Sequence, residues 1–369
     1  MLLHNNLKHS DAAAGSEYRG HHSTGIDRRL PPGPVNITIL DDYQDAVRKL
    51  GCASKLEPYQ AKVYTNNVKG VGHLSIRLRD ADVVVLIRER TPITRALLEK
   101  LPRLQLIAQT GPVGPHIDLK ACTEHGVAVA EGVGSPVATA ELTWALLLAS
   151  MRRLPQYVNH LKHGVWQQSG LKTSAFPSNF GIGQELAGKT LGIWGYGKIG
   201  QRVAHYGLAF GMRVVVWGSE HSRQMAVMAG CEAATDVREF VSGCDVLSLH
   251  LRLSDATRGI VTAEHLQWMK PTSLLINTAR AELIAEDALV AALHHGRPGM
   301  AAVDVFEHEP ILQGHPLLRL ENAVCTPHIG YVTQESYALY FGAAFDHVVN
   351  FARGCPSGLV NPEVLGVHP

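Results

Sequence analysis

TLGIWGYGKIGQRVAHYGLAF, residues 190–210, runs from a short apolar strand through a glycine turn into a helix, and its reading decides the fold. In the spacing Gly195-x-Gly197-x-x-Gly200 each glycine has a task. Gly195 permits the tight turn, Gly197 lets the backbone approach a pyrophosphate, and Gly200 lets the helix pack against the strand. The amides around Lys198 and Ile199 then face an anion from a helix N-terminus, where the peptide dipoles favour negative charge. Such a glycine triplet recurs in loops by chance; set between a strand and a helix, it reads as a dinucleotide-binding loop.

Outward from this loop the same texture repeats. RVVVW (213–217), DVLSLH (245–250), SLLINT (273–278), AAVDVF (301–306) and AVCT (323–326) are short apolar runs separated by helix-like stretches. With 190–194 they make six strands, which fits a doubly wound parallel sheet. Upstream, VNITIL (35–40), ADVVVLI (81–87) and the runs 104–108 and 127–130 form an earlier α/β series, so the fold class is α/β with two Rossmann- or flavodoxin-like domains. A helix is expected over 138–152, before the Gly- and Ser-rich stretch 169–185. A long terminal helix over 334–353 has no strands of its own and is expected to return to the first domain. Residues 1–34 mix polar residues, Gly and Pro without a period, and read as a flexible extension.

Composition sets the outer bounds. A chain of 369 residues predicts two domains or one large one. It is 46% hydrophobic and 18% charged, enough to bury a sizeable core. Lys+Arg 34 against Asp+Glu 33 gives a net charge of +1, which leaves no basic footprint for nucleic acid and points to a small partner. The 6 cysteines are scattered without a C-x-x-C pair and read as reduced thiols. Neither a secretory leader nor a run of roughly 18 apolar residues is present, so no membrane role is expected and the cytoplasm is the default location. The 20 histidines include no H-E-x-x-H or comparable spacing, and no metal site is expected.

Coenzyme choice stays open. The strand after the loop should end, about 20 residues on, in an acid that holds the adenosine ribose. Here RVVVW runs into Gly218-Ser219-Glu220-His221-Ser222-Arg223. Ser219 and Arg223 could bind a 2′-phosphate, whereas Glu220 could hold a ribose diol, so the coenzyme is NAD or NADP.

Three reactive side chains follow three successive strands: Arg280 after SLLINTA, Glu309 after AAVDVF and His328 after AVCTP. In open α/β sheets ligands bind at the carboxyl ends of strands, beside the coenzyme loop. There, Arg280 would present a planar fork to a carboxylate and carbonyl, His328 would deliver a proton, and Glu309 would orient the imidazole. Asp304, placed inside its strand, is expected to bond a nicotinamide carboxamide and nearby backbone, or else to support the sheet edge. The set suits reduction of a 2-keto acid.

Beyond these residues the chain resembles the D-isomer-specific 2-hydroxyacid dehydrogenases over about residues 35–362. The likeness rests on LIRERT (86–91), QTGPVGPHID (109–118), ATAELTWALLLA (138–149), GKTLGIWGYGKIGQRVA (188–204), LSLHLRL (247–253), INTARAELI (276–284), AAVDVFEHEP (301–310) and CTPHIG (325–330). It implies that Arg280 binds substrate, that Glu309 partners the histidine, and that His328 is the general acid/base. It implies that the loop 110–114, with Thr110, Gly111, Val113 and Gly114, offers amides to the substrate carboxylate, and that Arg88 reaches a substrate side chain or phosphate. His250, Thr257 and Ala279 join the coenzyme-side candidates. The implied organisation is a discontinuous substrate-binding domain, 35–140 with 329–369, around a dinucleotide-binding domain, 141–328, in a homodimer. Ala281-Glu282, Tyr331 and Gly218 depart from the family pattern near the cleft and the ribose. Two alternatives stand beside a D-2-hydroxyacid dehydrogenase: an NAD(H)-sensing corepressor-like protein on the same fold, and an oxidoreductase of phosphorylated acids using Arg88 and Arg90.

Overall fold

The computed structural model describes residues 35–171 and 176–366; the extension expected over 1–34 lies outside the described residues. Five strands open the chain: β1 (Asn36–Ile39), β2 (Gln60–Val63), β3 (Val83–Leu86), β4 (Leu106–Gln109) and β5 (Ala128–Ala130). They form a parallel sheet in the order β2-β1-β3-β4-β5. VVVL and LIAQ at its centre are wholly buried, as expected of strands covered by helices on both faces.

The second sheet has seven parallel strands: β6 (Thr190–Trp194), β7 (Arg213–Trp217), β8 (Glu232–Ala233), β9 (Val246–Leu249), β10 (Leu274–Asn277), β11 (Met300–Val303) and β12 (Ala323–Cys325). Their order is β12-β11-β10-β9-β6-β7-β8. The chain winds outward from β6 in one direction and, after crossing back to β9, in the other. The crevice left at the carboxyl ends of β6 and β9 is where such sheets take their ligands.

Every expected strand is present, 190–194 and 213–217 to the residue and the others trimmed or shifted by a few residues, but β2 and β8 carry no strand signal in the sequence. Both are edge strands, QAKV and Glu-Ala, with one neighbour each and largely exposed side chains, so neither carries an apolar run. The second sheet therefore has seven strands rather than six. Asp304 also moves: β11 stops at Val303, leaving the carboxylate just beyond the strand end.

The expected inner helix is Val137–Met151, which buries Trp144, Leu147 and Met151 against Leu191, Ile193 and Ile276. The terminal helix Gln334–Ala352 starts at Thr333, whose Oγ1 accepts from the Ser336 amide at 3.1 Å. It sets Tyr337, Phe341, Phe345 and Val348 against Ile37, Val83 and Leu106 of the first sheet. Each buried Phe there contributes roughly 1.5–3 kcal/mol of transfer free energy. Among the described residues no helix is long and apolar enough to cross a membrane.

Candidate active site

The glycine loop lies at the carboxyl end of β6. Gly195 has φ +97°, and a Cβ there would stand 2.9 Å from the His250 carbonyl group at the end of β9. A Cβ on Gly200 would meet the Gly195 carbonyl oxygen at 2.3 Å, a contact with backbone that cannot give way. Gly197 differs: nothing lies within 4 Å of where its Cβ would be. It is the N-cap of the helix Lys198–Ala209 and provides no capping side chain, so the first helical amides at Lys198 and Ile199 face that open space. An open approach and uncapped donors suit a pyrophosphate.

Further along the same edge a histidine–carboxylate pair assembles. β12 ends at Cys325, and the following turn holds His328 at φ +51°. Its Nδ1 donates to Glu309 Oε2 at 2.6 Å, while Glu309 Oε1 accepts from the Phe306 amide at 3.0 Å. The imidazole is thereby fixed with its Nε2 edge directed away from the carboxylate. The Tyr331 ring meets His328 edge-on at 5.7 Å. Arg280 leaves β10 in extended conformation, and its Nη1 donates to its neighbour's carbonyl, Ala279 O, at 2.7 Å.

These three side chains line one cavity of about 420 Å³, closed on its other side by Arg88, Glu89 and Arg90 from the end of β3. The carboxyl ends of both sheets thus face the same cleft. Gly111, at φ +140°, makes room for Arg88, whose Nη1 would stand 2.5 Å from any Cβ there. The Arg88 guanidinium lies over the rings of Tyr331 and Tyr340, at 5.5 and 6.0 Å, and Arg90 over Tyr43 and Tyr331, at 4.6 and 5.4 Å. Across the cleft Glu89 pairs with Arg280, Nη2 to Oε1 at 2.6 Å and Nε to Oε2 at 3.2 Å. Burial would raise the Glu89 carboxyl, but the charge and hydrogen bonds of Arg280 hold it below the usual carboxylate range.

Comparison with known proteins agrees with this geometry. Residues 144–330 match the family model "D-isomer specific 2-hydroxyacid dehydrogenase, NAD binding domain". A glyoxylate reductase of Aeropyrum pernix is 38% identical over 338 residues, 91% of this chain and 95% of its own. The chain belongs to the D-isomer-specific 2-hydroxyacid dehydrogenases. The crystal structure of an oxidoreductase from Ralstonia solanacearum superposes with TM-score 0.89 at 58% identity, covering 91% of this chain and 98% of that one. The D-lactate dehydrogenase of Aquifex aeolicus, solved with NAD and lactic acid, gives TM-score 0.68 at 30% identity over 86% of this chain and 96% of that one. This 2-hydroxyacid dehydrogenase is accordingly an NAD(P)-dependent oxidoreductase of 2-keto and 2-hydroxy acids.

Several candidate residues of this dehydrogenase have hydrogen-bond partners within the protein. In the loop 110–114 the Thr110 amide donates to Leu86 O at 3.0 Å and the Val113 amide to Glu131 Oε2 at 2.8 Å, so both donors are engaged within the protein. The loop does not line the cavity; Gly111 and Gly114 instead give space to Arg88 and Glu89. Both Asp304 oxygens are taken within the protein: Oδ1 accepts from Thr326 Oγ1 at 2.7 Å and the Ile329 amide at 2.8 Å, Oδ2 from the Gly330 amide at 2.8 Å. Burial pushes the Asp304 carboxyl up and those bonds oppose it. In this arrangement it secures the turn that carries His328.

On the coenzyme side, Ser219 caps the helix Glu220–Met228 by accepting from the Ser222 amide at 3.2 Å. Arg223 Nη2 donates to Glu220 Oε2 at 2.6 Å and Nη1 to Ala234 O at 3.2 Å, with the guanidinium over Trp217. Thr257 Oγ1 is engaged inside its own turn, donating to Arg252 O at 2.7 Å. His250 is hydrogen-bonded to Ser248 Oγ at 2.9 Å, and burial pushes its imidazole down to about 4, so it is neutral. The Ala279 amide donates to Asn277 Oδ1 at 3.0 Å.

The sequence reading singled out neither Glu89 nor His116. The signal for Glu89 was its place between two arginines directly after a buried strand; what it pairs with lies 191 positions away.

Proposed function

We propose that this dehydrogenase reduces 2-keto acids to D-2-hydroxy acids, and the reverse, with Arg280, Glu309 and His328 as its working side chains. What carries the reading is their convergence on one cavity from the ends of three adjacent strands of the sheet whose β6 carries the glycine loop. Arg280 holds the substrate through its carboxylate and carbonyl oxygen and so orients the carbonyl carbon. A bound nicotinamide coenzyme supplies the hydride to that carbon. His328 gives its Nε2 proton to the carbonyl oxygen as charge builds there, and Glu309 stabilises the imidazolium before transfer and fixes its plane. Gly195, Gly197, Lys198, Ile199 and Gly200 would hold the pyrophosphate.

We assign the first sheet, with the terminal helix, to substrate selection and the second to the coenzyme. Between NAD and NADP the pairing of Arg223 with Glu220 favours NAD: the guanidinium is neutralised, and a carboxylate stands just past β7, where a ribose diol would lie. A cytoplasmic homodimer is the assembly we favour. Leu154, Val158 and Leu161 form an exposed apolar stripe on the helix Leu154–Lys162, with Trp166 and Ile182 also exposed.

The test is turnover of glyoxylate, pyruvate, hydroxypyruvate and phenylpyruvate with NADH or NADPH, followed by coenzyme absorbance. Steady oxidation of NADH with any member supports catalysis. Coenzyme-dependent change in oligomer size without turnover supports a corepressor-like sensor instead.

A further inference from the structure

Arg280 is held by a carboxylate of its own chain. Glu89, from the opposite sheet, meets the Nε and Nη2 edge of the guanidinium with both oxygens, at 3.2 and 2.6 Å, while Nη1 is anchored on Ala279 O. This is the planar two-point pairing by which a guanidinium takes a carboxylate, and it uses the very edge a 2-keto acid would need. Glu89 has the charge, the flatness and the oxygen spacing of that acid's own carboxylate.

The surroundings give Glu89 somewhere else to go. Gly114 lies against it: a Cβ there would stand 3.1 Å from Glu89 Oε1 and 3.3 Å from His116 Nδ1. A Cβ there would crowd both the carboxylate and the imidazole by a few tenths of an ångström. Both ring nitrogens of His116 are buried, and among the described residues neither has a hydrogen-bond partner. A buried polar group left in that state is costly, and a carboxylate beside it would relieve the cost. The existing pair is also within reach of solvent: its side chains keep 28% and 35% of their exposure, so an incoming carboxylate can approach it from the cleft.

We propose that Glu89 is a positioning residue that stands in for the substrate's carboxylate on Arg280, aiming the guanidinium into the cleft until a 2-keto acid displaces it toward His116. The proposal rests on Arg280 being the carboxylate anchor. It makes Glu89 an internal competitor of the substrate, so removing its charge should tighten binding.

Steady-state kinetics on the coenzyme-loaded enzyme test this with Glu89→Gln, Glu89→Ala and His116→Phe, using glyoxylate as substrate and oxalate as a non-reacting competitor. Both Glu89 variants should lower the glyoxylate KM and the oxalate Ki by about three- to fivefold, the scale of an exposed ion pair. kcat should not rise with them. His116→Phe should raise KM in the wild-type background and leave it unchanged in the Glu89→Gln background, because the second seat then has no occupant. Unchanged or raised Ki for oxalate in both Glu89 variants overturns the proposal, as does an equal effect of His116→Phe in the two backgrounds. Arg280→Ala separates the two readings. If it leaves glyoxylate turnover intact, the anchor itself is wrong; if it abolishes turnover while the Glu89 variants fail to tighten binding, only the role of Glu89 is wrong.

Discussion

Glu309 holds His328 at 2.6 Å with one oxygen and is itself held by the Phe306 amide through the other, so the imidazole's orientation is set by backbone at the end of β11. Because the carboxylate is tied at both ends, its charge and its geometry can be tested separately. His328→Ala should lower kcat for keto-acid reduction by about a hundredfold or more, the usual worth of a positioned acid. Glu309→Gln keeps the shape and removes the charge, and should cost roughly tenfold in kcat with little change in KM. Initial rates across pH check both; a His328→Ala profile matching wild type in height and shape would remove the assignment.

Arg280→Ala should raise KM for keto acids and reduce kcat/KM on the order of a hundredfold, as expected for a charge-assisted two-point contact. NADH binding, followed by fluorescence, should stay nearly as in wild type.

Two single-methyl insertions in the glycine loop should have opposite characters. Gly200→Ala drives a Cβ to within 2.3 Å of the Gly195 carbonyl oxygen, so the helix must leave the strand; both melting temperature and NADH affinity should fall. Gly197→Ala meets nothing within 4 Å, so the fold should be kept while NADH affinity drops because the methyl occupies the approach to the phosphates. Thermal melts alongside coenzyme titrations distinguish the two.

Glu220→Ala should free Arg223 from its partner at 2.6 Å and lower the KM for NADPH relative to NADH. An unaltered NADH-to-NADPH preference would show that this pair does not choose the coenzyme.

His250 links coenzyme-side burial to acid stability. Burial lowers its imidazole from the ordinary 6.5 to about 4, so the unfolded chain takes up a proton in that window that the folded chain refuses. Its neutral burial is without penalty above about 6.5, and stability should decline as pH falls from there toward 4. Urea midpoints measured across that range should fall less steeply for His250→Gln than for wild type.

How much of this was legible depended on the range of the interactions. VVVL, RVVVW and TLGIW announce buried strands because parallel strands covered on both faces need apolar residues at every position. β2 and β8 carry no such demand at their sheet edges and read as loops. Gly195, Gly200 and the order of Arg280, Glu309 and His328 were readable because each sits at a fixed offset from a strand end. The committed amides of Thr110 and Val113, the saturated Asp304 and the Glu89–Arg280 pair were not, since each depends on a partner brought close only by folding.

The terminal helix Gln334–Ala352 covers a sheet whose strands are all made before residue 131. During synthesis that sheet emerges early yet must leave Ile37, Val83 and Leu106 without their final cover while about two hundred further residues are added, at about 5–20 residues per second. The coenzyme-side unit, continuous in the chain, can close first. The first sheet is therefore the last to gain its full cover.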